Sequence, residues 1–161
     1  MMTTSIISQF EFLHTKYVAM VSKLQDVLLL LLRAYWGYDF FQSGMGKLNN
    51  LDRTREFFTS LNIPFPAVNA IIVGNIEMIG GILLIAGFGA RYFTLPLIAI
   101  LSVAYATDDH EALMSVFSNP EKFVSATPFL HLLATTIVFS FGAGLFSVDA
   151  ILEWVRKRNR R

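Results

Sequence analysis

The sequence predicts an all-α membrane protein: a four-helix transmembrane bundle with short interfacial helices in the outer connections and at both termini. Three observations predict it. The chain of 161 residues is 54% hydrophobic. Its apolar residues gather in four blocks, 27–48, 66–88, 92–107 and 128–146. A helix crosses a bilayer in about 20 residues; blocks one, two and four have that length, and the third borrows Arg91 or Asp108 at its ends. Basic residues are also distributed unevenly. Lys16, Lys23, Arg91 and the run Arg156, Lys157, Arg158, Arg160 and Arg161 fall on one side. Lys47, Arg53, Arg55 and Lys122 fall on the other. The positive-inside rule therefore expects both termini in the cytoplasm, as an even number of spans requires.

Taken in order, residues 1–26 place Leu13, Tyr17, Met20, Val21 and Leu24 at helical spacing, with Lys16, Lys23 and Gln25 between them. They read as a cytoplasmic interfacial helix. Because this segment holds Glu11, Lys16, Lys23 and Asp26 and lacks a continuous apolar stretch, no cleavable signal is expected. Residues 27–150 form the membrane domain. On a helical wheel of span one, Val27, Leu30, Ala34, Phe41, Met45 and Leu48 share a face expected to meet lipid. Arg33, Asp39, Gln42, Ser43, Gly44, Gly46 and Lys47 occupy the arc expected to face the bundle.

The connection 49–65 carries Phe57, Phe58 and Leu61 at helical spacing before Pro64 and Pro66, and reads as a short helix on the outer surface. In span two, Ala70, Val73, Gly74, Glu77, Gly80, Gly81, Leu84 and Gly87 share a packed face, opposite an isoleucine-rich one. Residues 87–90 make the tight turn into span three. Asp108 or Asp109 is expected to cap a further surface helix over 112–117. Span four carries His131 near its outer end and breaks at Gly142–Gly144. A final short helix leads into a basic cytoplasmic tail, 151–161, where Trp154 is an interfacial anchor.

Several function classes are excluded. A net charge of +1 offers no basic face for nucleic acid. Without cysteine there is no disulfide scaffold, no thiolate metal site and no thiol–disulfide exchange. No metal site and no covalently bound cofactor are expected. A bis-histidine haem would need two histidines at membrane depth, and only His131 qualifies.

The charges inside the apolar blocks are the candidate site. A charge at membrane depth costs about 2.5–3.5 kcal/mol on insertion scales, so each needs a partner, a wet cavity or a chemical role. At ~1.5 Å per residue, Arg33 lies about 9 Å, Glu77 about 16 Å and Asp39 about 18 Å from the cytoplasmic end. Arg33 is expected to pair with Glu77, and Arg33, Asp39 and Glu77 to border one polar cavity. Lys47 and His131 complete the candidate intramembrane polar site. Two accounts stay open: an ion-pair staple that fixes helix register, or a pocket for a quinone head group or another small polar ligand.

Arg33 followed by Gly37, Phe40, Ser43-Gly44 and Gly46-Lys47-Leu48 resembles the first span of the DoxX family, as does Ile63-Pro64 leading into span two. The stretch Glu77-Met78-Ile79-Gly80-Gly81 resembles that family's second-span signature. The ending Gly142-Ala143-Gly144 with Ser147-Val148-Asp149 is similar to its terminal element. The resemblance covers residues 27–150. It implies a four-helix bundle in the bacterial inner (cytoplasmic) membrane and a link to redox systems, since the wider family name comes from the small subunit of a thiosulfate:quinone oxidoreductase.

Two functions are therefore expected, and the sequence does not decide whether the chain is itself catalytic. One is a quinone-interacting or accessory subunit of a membrane oxidoreductase, with the electron-carrying cofactor on a partner subunit. The other is a non-enzymatic membrane protein: a small-molecule carrier, an assembly factor or a lipid-binding partner. The bilayer is the expected partner in both, with a redox subunit or a homo-oligomer beside it.

Overall fold

The computed structural model describes residues 2–160, with side chains from residue 11 onward. It is all-helical, with no strand among the described residues. The elements are α1 (Met2–Asn49), α2 (Leu51–Ser60), α3 (Pro66–Ala86), α4 (Ala90–Thr107), α5 (His110–Met114), α6 (Pro120–Ser125), α7 (Thr127–Phe141) and α8 (Val148–Arg158). Two of them, α3 and α4, are long and apolar enough to cross a membrane; α7 is apolar but shorter.

The bundle is built on two seams. In the first, α1 packs along α3 and α2 leans on α3; in the second, α4 packs on α7. Glycine makes the first seam possible. A Cβ on Gly44 would lie 2.3 Å from the Met78 nitrogen and 2.5 Å from the Gly74 carbonyl oxygen, and one on Gly81 2.4 Å from the Gly37 carbonyl oxygen. Only hydrogen at these positions lets two antiparallel backbones approach so closely. Phe40, Leu84, Leu97, Leu101 and Val138 fill the core between the seams.

Three expectations need correction. Residues 2–26 are not a separate surface helix: α1 runs through them without a break, because nothing between Met2 and Trp36 is glycine or proline. The outward face of span one holds for Val27 and Ala34, which are exposed, but is misplaced in its later half. Phe41 packs on Gly81 and Leu48 on Gly74, whereas Asp39, Gln42 and Gly46 are exposed. The glycine seam, not polarity, decides which side of α1 meets α3, and it covers the large residues beside it. The surface helix after α4 forms as α5 with Asp109 at its N-cap position, but it is shorter than expected and the aspartate side chain makes no cap bond; a further helix, α6, follows, and there the Asn119 side chain accepts from the Lys122 amide. The break expected at Gly142–Gly144 is found: α7 stops at Phe141, and the positive φ of Gly142 ends the helix, so the fourth apolar block is only partly helical.

The isoleucine face of α3 is exposed as expected. Asn75, on the same side, turns its amide back to the Ile71 carbonyl 2.8 Å away, so its polarity is satisfied within the helix.

Candidate functional site

On α1, Phe40, Ser43 and Lys47 recur at three- and four-residue steps and so share one face. On α3 the facing residue is Glu77, which is buried. The Lys47 ammonium lies 2.5 Å from Glu77 Oε2 and donates to Ser43 Oγ at 2.7 Å, while the Ser43 hydroxyl donates to Glu77 Oε2 at 3.0 Å. The three groups close a triangle. Within the described residues, Glu77 thus finds a charge partner in Lys47, not in Arg33.

Asp39 takes a different partner. Its Oδ2 is 2.6 Å from His131 Nε2, and the other ring nitrogen faces the Thr127 carbonyl at 2.9 Å. A carbonyl only accepts, so Nδ1 carries hydrogen. Nε2 is left facing the Asp39 carboxyl, so the ring is held at both nitrogens. Trp36 and Phe40 pack against the ring in T-shaped contacts, at centroid distances of 4.4 and 5.2 Å.

Lys47, Glu77, Ser43 and His131 border one cavity of about 560 Å³. Its walls are otherwise mainly apolar, from Phe57, Phe58, Leu61, Ile63, Ile100 and Leu101, with Asp108 and Asp109 also lining it. This is the size and make-up of a small-molecule site: apolar walls and few, convergent polar groups. Burial pushes the Asp108 carboxyl above its ordinary value, and the charge of Asp109 adds to the effect.

Arg33 lies elsewhere. Fully buried, it donates from Nη2 to the Phe146 carbonyl at 2.5 Å and from Nε to the Leu29 carbonyl at 3.4 Å. Its Nη1 rests over Gly87, where a Cβ would sit 1.7 Å away. Asp149 supplies the compensating charge. That aspartate accepts from the Gly89 and Ala90 amides at 2.8 and 3.2 Å, and its own amide donates to the Gly87 carbonyl. Asp26 accepts from the Leu145 amide at 2.9 Å. Together these contacts clamp the segment after α7 to α1 and to the α3–α4 turn. The expected convergence of Arg33, Asp39 and Glu77 on one cavity is thus corrected: Arg33 belongs to the clamp, Asp39 backs His131, and Glu77 pairs with Lys47. The phenylalanines of α2 were legible only as an amphipathic pattern; that they wall the cavity follows from the way α2 folds back on α3.

The DoxX family model matches residues 28–108, just over half of the chain. The chain belongs to the DoxX family. The matched stretch contains Arg33, Asp39, Lys47, Glu77 and Asp108, whereas His131 lies beyond it. An uncharacterized protein of Haemophilus influenzae is 29% identical over 133 residues, covering 80% of this chain and 85% of that one. The Bacillus subtilis protein named "Putative oxidoreductase CatD" is 35% identical over 88 residues, covering 52% of this chain and 64% of CatD. No solved structure matches. Family and apolar helices together make this a membrane protein.

Proposed function

We propose that this DoxX protein crosses the bacterial inner membrane four times, with both termini cytoplasmic, and binds a quinone as a subunit or accessory of a membrane oxidoreductase. The observation that carries this reading is the cavity in which Lys47 and His131 face apolar walls. A quinone head is a flat apolar ring with two carbonyl oxygens, and its reduction to quinol takes up two electrons and two protons. Lys47 offers an ammonium donor, and His131, backed by Asp39, is a side chain of the type that relays protons in such chemistry. The electrons would come from a partner subunit carrying a redox cofactor. The oxidoreductase name of the CatD relative agrees with this assignment.

The reading is tested by purifying the protein gently in nanodiscs and identifying the co-purified molecules by mass spectrometry. A quinone bound near one per chain is expected, and lost when Lys47 and His131 are both replaced by Leu. Phospholipid as the sole occupant, unchanged by the replacement, would favour a lipid-binding protein instead.

A further inference from the structure

Leu13, Tyr17, Met20, Leu24, Val27 and Leu31 follow one another along α1 at alternating steps of four and three, and the series runs on to Tyr38. This is a heptad spacing of 3.5 residues, tighter than the 3.6 of a straight helix. All of these side chains are exposed. The stripe lies opposite the buried row Leu29, Arg33, Phe40 and Gly44, so the chain's own bundle cannot cover it. Along residues 11–25 the reverse side of α1 is mostly polar, with Glu11, Thr15, Ser22 and Gln25.

Lipid cannot cover the whole stripe. Residues 27–49 already run about 34 Å, enough for a hydrocarbon core of roughly 30 Å. Residues 11–26 continue the same helix for about another 24 Å. Bending it onto the membrane surface would need a kink, and this stretch contains no glycine or proline to make one. Leu13, Tyr17, Met20 and Leu24 would therefore stand in water unless another helix met them.

We infer that this stripe forms a parallel two-stranded coiled coil with α1 of a second copy of this chain. Copies inserted in one orientation present parallel α1 helices, and a two-fold axis along the membrane normal brings identical stripes together. The flanking charges permit self-pairing. Lys16 and Lys23 fall at g positions, and the e positions they face across such a dimer are Val21 and Leu28, so no cation meets a cation. Their aliphatic stems would cover the seam while the ammonium groups stay in water. The parallel arrangement rests on the four-span reading proposed above.

The chain has no native cysteine, so disulfide mapping can be done on the full-length protein in isolated membranes. Single replacements Leu13→Cys, Met20→Cys and Leu24→Cys should give a dimer band under mild oxidation. Thr15→Cys and Ser22→Cys, on the reverse face, should give at least several-fold less. Uniform cross-linking, none at all, or a product with the mass of a different protein would overturn the assignment. Met20→Lys with Leu24→Lys should convert dimer to monomer in sedimentation while thermal melting stays unchanged; a dimer that survives this change also overturns it. Alkaline carbonate extraction and quinone content, measured on the same membranes, report on the function reading separately: loss of either with the heptad pattern intact strikes only that reading.

Discussion

Lys47 Nζ lies 2.5 Å from Glu77 Oε2, and this ion pair joins α1 to α3 at the edge of the cavity. Glu77 is 7% exposed and Lys47 26%, so the pair sits between a buried bridge and a surface one. Breaking a buried pair costs about 3–5 kcal/mol because one charge is stranded, whereas replacing both partners by apolar groups is often neutral. Here Lys47 retains some access to water, which lowers the cost of stranding it. Glu77→Gln should destabilise by about 2 kcal/mol, and Lys47→Met with Glu77→Leu should recover most of that loss. If the cavity binds ligand, the double variant should melt like the parent yet retain no quinone. A double variant as unstable as the single one would show that the pair is indispensable to the fold.

The α1–α3 seam separates two glycines that look alike in sequence. A Cβ on Gly44 would strike backbone atoms of Met78 and Gly74, whereas one on Gly46 would meet nothing within 4 Å. Gly44→Ala should cost about 1–3 kcal/mol, since backbone cannot move aside as a side chain can. Gly46→Ala should be neutral or stabilise by up to about 1 kcal/mol through helix propensity. Thermal melts in one detergent decide it; equal losses for both would mean that the seam is not where the structure has it.

Topology follows from the placement of the basic residues. Alkaline phosphatase fused after Arg161 should be inactive, and fused near Asn119, in the loop before α6, active. The reverse pattern would invert the bundle and move the Lys47 end of the cavity to the cytoplasmic side.

The membrane class and most of the packed face of α3 were legible because small residues and Glu77 recur there with helical period, and a buried face must repeat that way. The partners of the charges were not legible. Helical depth put Arg33 within a long side chain's reach of Glu77, yet depth is one coordinate, and the rotation of each helix about its axis decides which charges meet. That rotation follows from Gly37 and Gly44 lying against Gly81 and Gly74, a reciprocal fit invisible along one strand of sequence. Arg33 then turns toward the chain after α7, where the carbonyl of Phe146 is free because Gly142 has ended the helix.

The cavity mouth offers a pH test. Burial raises the Asp108 carboxyl from its ordinary value, and Asp109 adds to the rise. Folding therefore favours the protonated form. Below the unfolded pKa, about 4 for aspartate, the carboxyl is protonated in both states and carries no penalty. As pH rises through that value the unfolded chain loses its proton first, so the penalty grows and is complete once pH exceeds the folded value. Asp108→Asn carries no such penalty. The variant should melt with the parent near pH 3 and above it at pH 7, by about 1–2 °C given that the side chain reaches solvent. Asp109→Asn should narrow the gap by removing the neighbouring charge. Melting curves that stay parallel from pH 3 to 7 would show that Asp108 is not desolvated by the cavity it lines.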